Sequence, residues 1–200
     1  MLELSSAFAV FANGGERVKP IFIKKIVTLK GEVLEENDPY VPPEEIDEDE
    51  ETAEVPSPAP KERVISPQNA FIMTHLLEGV VQHGTGQTAK ALGRPVAGKT
   101  GTSNDYGDAW FIGYTPSLLT SVWVGFDDKA SLGPSETGAK AALPIWTSFM
   151  EQTLRDRPVE DFKAPEGIRF IKVNLESGQP TNGNEETVLE AFSDGNSPPP

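Results

Sequence analysis

The sequence predicts an α+β fold in which an antiparallel sheet is flanked by helices. Two observations predict it. Val96 to Ser103, Ala109 to Tyr114 and Leu118 to Phe126 read as three strands adjacent in sequence, with Thr115-Pro116-Ser117 turning between the last two, which suggests an antiparallel meander. Apolar residues at helical spacing stand on both sides of these strands, Ala70, Phe71, Met73, Leu76, Leu77, Val80 and Val81 before them and Ala141, Ala142, Ile145, Trp146, Phe149 and Met150 after them.

The helical segments carry their own punctuation. Ser66 is an N-cap with Pro67 at the first helical position, so a buried amphipathic helix starts there. Pro144 kinks the segment Thr137 to Leu154 or marks a new start within it. Near the N-terminus, Leu2, Leu4, Ala7, Phe8, Phe11 and Ala12 share one helical face, and Asn13-Gly14-Gly15 supplies a left-handed stop. With no cap ahead of that periodicity, the expectation is a chain cut inside a larger protein. Lys19 to Lys30 alternates and is β-branched, and Lys30-Gly31 turns it into Glu32-Val33-Leu34, a hairpin at a sheet edge.

The 200 residues carry a formal charge of −14, but Glu32 to Glu54 holds twelve carboxylates and no Lys or Arg, leaving −2 for the rest. The acidity is local, and residues 35–62, acid- and Pro-rich, are expected to be a flexible insertion. No basic run interleaved with aromatics appears, so nucleic acid is not an expected partner. Without cysteine, and with only His75 and His83, a thiolate or His-rich metal site is excluded, and no cofactor is implied. No signal-peptide pattern or long apolar span is present. Residues 156–200 are expected to be a short extension, with a β-like piece at Ile168 to Val173 followed by a disordered polar tail.

Gly93-Arg94-Pro95-Val96-Ala97-Gly98-Lys99-Thr100 fits the phosphate-loop pattern letter for letter. A phosphate loop leaves a buried strand and opens a helix, whereas here a polar stretch and a short helix precede Gly93 and poor helix formers follow Thr100. Nucleotide binding is therefore the weaker alternative. Gly84-Thr85-Gly86-Gln87-Thr88-Ala89 imitates a dinucleotide fingerprint but follows a helix, and it reads as a loop between helices. Trp110, Trp123 and Trp146 read as core and sheet-face residues, and neither histidine has a visible partner.

The same lysine begins Lys99-Thr100-Gly101, the K-T-G element that accompanies S-x-x-K and S-x-N in serine acyl-transferases. Ala97-Gly98-Lys99-Thr100-Gly101-Thr102-Ser103, Asp108-Ala109-Trp110-Phe111-Ile112-Gly113-Tyr114-Thr115-Pro116 and Val122-Trp123-Val124-Gly125-Phe126-Asp127 together resemble the class A, bifunctional penicillin-binding proteins of the 1A-like type. The resemblance extends upstream to Ser5 through Gly15 and downstream to Ala141-Ala142-Leu143-Pro144-Ile145-Trp146 with Phe149-Met150.

This resemblance implies the C-terminal portion of the penicillin-binding, serine β-lactamase-like fold, incomplete in this chain. Residues 1–34 and 63–155 would belong to the transpeptidase domain. The implied substrate-binding residues are Lys99, Thr100, Gly101, Thr102 and Ser103, with the Thr100 and Thr102 hydroxyls on a substrate carboxylate and the Thr102 N–H in an oxyanion hole. The implied partners are peptidoglycan stem peptides and β-lactams, and the implied location is the periplasmic face of the inner membrane, with the membrane reached only through a region outside this chain.

No serine here is followed three positions later by lysine, and no S-x-N occurs, so no catalytic residue is assigned and the chain alone is not expected to acylate. A stand-alone, non-catalytic binding module is the other reading.

Overall fold

The computed structural model describes residues 1–37, 62–183 and 186–196. All but the margins of the acidic 35–62 segment lies outside the described residues, as do the last four residues of the tail.

The three central runs form the meander that the alternation predicts. Strands β3 (Ala97–Thr102), β4 (Asp108–Thr115) and β5 (Leu118–Gly125) make an antiparallel sheet in the order β3-β4-β5, so β3 is an edge. Its two faces are covered by different elements. Phe111, with Val122 and Val124 beside it, packs against Leu143, Trp146, Met150 and Leu154 of helix α3 (Leu143–Leu154). Tyr114 and Ala97, with Leu119, face Leu77 of helix α2 (Pro67–Gln82) and Phe8 and Phe11 of helix α1 (Leu2–Ala12). Side chains alternate along a strand and register partners share a face. The pairs Lys99–Ile112 and Gly101–Trp110 therefore lie on the Tyr114 side, and Thr100–Phe111 and Thr102–Ala109 on the α3 side.

The caps act as expected. The Ser66 hydroxyl accepts from Asn69 N–H with Pro67 in the first turn of α2, and Gly14 and Gly15 take φ of 61° and 93° after α1. Pro144 falls in the first turn of α3, preceded by a π-helical turn over Gly138–Ala142, so the proline marks a new start. Strands β1 (Lys25–Val27) and β2 (Val33–Glu36) form an exposed two-stranded hairpin.

The tail is more ordered than its composition suggests. β6 (Ile168–Asn174) pairs antiparallel with β7 (Thr187–Ser193) over seven register positions, so residues 187–193 are strand and not the expected disordered tail. β7 also corrects the reading of His75: its Nε2 lies 3.0 Å from Leu189 O and 3.4 Å from Glu190 Oε2, and its ring packs between Phe71 and Phe170. The hairpin gains a docking face on α2, and α2 gains cover for an aromatic edge.

Candidate active site

β3 presents its backbone to an open edge. Ser103 N–H donates to Asp108 O at 3.0 Å, which turns the Ser103 amide toward β4. Amides alternate in direction along an antiparallel ladder, so the Thr102 N–H points away from β4, to the free side of the sheet. Lys99 Nζ donates to Thr100 O at 2.9 Å, consistent with a carbonyl that the ladder leaves over. Among the described residues Lys99 has no carboxylate partner, and its side chain is exposed. A compact ammonium beside an outward amide on a bare strand edge suits an anionic, extended ligand.

The hydroxyls on the α3 side are each held from outside the strand. Gly138 N–H donates to Thr102 Oγ1 at 3.1 Å, and Thr85 Oγ1 lies 2.6 Å from Thr100 Oγ1. The Ser103 hydroxyl accepts from Asp108 N–H at 2.7 Å and so closes the turn between β3 and β4 while keeping its own proton to donate.

The glycines here are steric. A Cβ at Gly138 would collide with the carbonyl oxygens of Trp110 and Gly101, because the π turn lies flush on the β3–β4 ladder. At Gly98 a Cβ would come within 2.8 Å of the Phe111 ring and 3.0 Å of Ile112 O.

Lys99 does not sit in a phosphate loop: Gly98-Lys99-Thr100 is the middle of a strand, and no helix opens after it. Trp146 is fully buried, and Trp110 and Trp123 are half-buried neighbours with ring centroids 6.2 Å apart, so none of the three is a free binding platform. No group of His, Asp and Glu among the described residues could hold a metal ion. A concavity of about 520 Å³ lies between α2 and the β6–β7 hairpin, lined by Ile72, Leu76, Val173, Val188 and Phe192, and includes none of residues 99–103.

A model of the penicillin-binding protein transpeptidase domain matches residues 1–151. The chain belongs to that family. Penicillin-binding protein 1A of Pseudomonas aeruginosa is 37% identical over 230 residues that take in 99% of this chain and 28% of the relative. The Aquifex aeolicus protein of the same name is 44% identical over 173 residues, 86% of this chain and 21% of the relative. Among solved structures, penicillin-binding protein 1A from Haemophilus influenzae superposes with a TM-score of 0.81 at 28% identity, over 100% of this chain and 32% of its own. The chain thus spans between a fifth and a third of the length of these penicillin-binding proteins.

Three residues around the strand were not singled out from sequence. Thr85 and Gly138 lie in a loop and a turn whose contacts with β3 are non-local, and the only signals were the glycines around them. Glu78 stands among apolar residues on α2, where burial with the nearby charge of Asp161 raises its carboxyl to about 7. A lone acid within an apolar helical run is the signal that could have marked it.

Proposed function

We propose that this chain supplies the substrate-binding edge strand of a peptidoglycan D,D-transpeptidase, an enzyme that cross-links stem peptides through a serine acyl-enzyme. The observation that carries the reading is the conjunction at β3 of an exposed, acid-free Lys99, two hydroxyls at Thr100 and Thr102, and an outward Thr102 amide, within a chain that belongs to the penicillin-binding transpeptidase family.

In this reading a stem peptide or a β-lactam lies along β3 and adds to the sheet edge. Thr100 and Thr102 donate to its carboxylate, Lys99 supplies the positive field, Gly101 lets the ligand backbone approach, and the Ser103 hydroxyl borders the far end. The Thr102 N–H meets the oxygen that becomes negative as the carbonyl is attacked, and one such donor is worth about 3 to 4 kcal/mol in the transition state. The nucleophile and its lysine come from an S-x-x-K element elsewhere in the complete polypeptide, since this sequence has none. The whole enzyme works at the periplasmic face of the inner membrane; no helix among the described residues is long and apolar enough to cross a membrane.

The test is to express the complete polypeptide read in frame through Met1 and measure a penicilloyl adduct by intact mass. The reading predicts a single covalent adduct whose formation slows at least about tenfold in Lys99→Ala, the cost of one charge-assisted contact. No adduct on the complete polypeptide would remove the transpeptidase reading.

A further inference from the structure

Thr85 reaches β3 from the loop between α2 and the 3₁₀ helix Gln87–Leu92, fifteen residues away in sequence from the threonine it touches. Its place is built by its neighbours. Gly84 N–H and Gly86 N–H both donate to Val80 O, at 3.0 and 3.1 Å, which folds the loop back under the last turn of α2. A Cβ at Gly84 would stand 2.9 Å from Val80 O, and one at Gly86 would stand 3.3 Å from both Val80 O and the Val81 Cα. The two glycines tuck in because they carry no side chain, and the threonine between them is left at the apex with its hydroxyl 2.6 Å from Thr100 Oγ1.

We propose that Thr85 is a positioning residue, which acts through Thr100 to set the direction of that hydroxyl's proton; this rests on the transpeptidase reading above. A threonine hydroxyl has one proton to give and lone pairs to accept with. Thr100 can donate to a ligand carboxylate while its oxygen accepts from Thr85, whose hydroxyl makes no other hydrogen bond among the described residues. The donation from Thr85 polarises the Thr100 O–H and strengthens what it gives to the carboxylate. Thr102 is arranged in the same way: its oxygen receives the Gly138 N–H, which leaves its own proton free for the ligand. The two hydroxyls share a face of β3, so both protons are directed to the same side. The two supporting donors differ in kind, since Gly138 offers a backbone amide that no side-chain change removes, whereas the Thr85 donor is a side chain and can be removed alone.

The experiment uses the complete polypeptide carrying Thr85→Val, Thr85→Ser or no change, each acylated by a β-lactam with a free carboxylate and by the methyl ester of the same compound. Thr85→Val is expected to slow acylation by the free acid about fivefold to tenfold and to change the ester rate less than about twofold, and Thr85→Ser to stay within about twofold of the parent. In a Thr100→Val background, Thr85→Val should add no further loss, because the partner it acts through is gone. Equal losses on acid and ester, a Thr85→Val rate like the parent's, or a full loss added on top of Thr100→Val would each overturn the role. If the unchanged polypeptide forms no adduct with the free acid, it is the transpeptidase reading that fails, and the role of Thr85 falls with it.

Discussion

Gly138 and Thr102 are tied across 36 residues by a 3.1 Å hydrogen bond from the glycine amide to the threonine hydroxyl. The bond fixes the π turn ahead of α3 to the last residue of β3, so the helix that covers one face of the sheet also holds the end of the edge strand. Approach this close requires glycine, since a side chain would meet two backbone carbonyls that cannot move without opening the β3–β4 ladder.

Gly138→Ala therefore separates the π turn from the sheet. It is expected to destabilise the domain by about 1 to 3 kcal/mol, the usual range for overpacking, and to slow β-lactam acylation of the complete polypeptide by more than Thr85→Val does. Urea midpoints and acylation rates of the two variants check the order.

Tyr114 and Thr74 join α2 to the buried face of the sheet. Thr74 gives its proton to Ala70 O at 3.0 Å, so the 2.9 Å contact with Tyr114 Oη is a donation from the tyrosine. Tyr114→Phe is expected to cost about 1 kcal/mol and no more, because Thr74 keeps one partner and the ring still packs edge-on against Phe162. A loss above about 3 kcal/mol in urea unfolding would mean that the hydroxyl supports more than this bond.

Glu78 sets a pH dependence of stability. Burial first, and the Asp161 charge second, raise its carboxyl from 4.5 to about 7 in the folded chain. The folded state therefore keeps a proton that the unfolded chain releases near pH 4.5, so its share of stability is fullest below that pH and is lost as the pH rises through about 7. Discounted for partial exposure, the loss is about 1 to 2 kcal/mol. Glu78→Gln should flatten the change in urea midpoint between pH 5 and pH 8. An unchanged slope would place the dependence on other groups.

The central sheet was legible because β4 and β5 are neighbours in sequence and alternate, and because the one signal for β3, its K-T-G run, sits beside them. Ser66 and Pro67 announced the start of α2 for a reason equally local. β7 was not legible: Thr187 to Ser193 places Val188 beside Leu189 and Ala191 beside Phe192, breaking the two-residue period, and its partner β6 lies across a polar stretch. The π turn was hidden for a related reason. Gly138 to Ala142 has the composition of an ordinary helix, and the pull that widens it comes from contact with a strand 36 residues earlier. Within the site, Lys99 to Ser103 could be read because their order is a motif, whereas Thr85 enters only through a loop whose path is set by Val80 O.

The most direct test is a crystal structure of the complete polypeptide as its penicilloyl adduct. The account predicts the adduct carbonyl oxygen within hydrogen-bond distance of the Thr102 N–H and its carboxylate on the Thr100 and Thr102 hydroxyls, beside Lys99. An adduct whose carbonyl and carboxylate make no contact with residues 99–103 would contradict it.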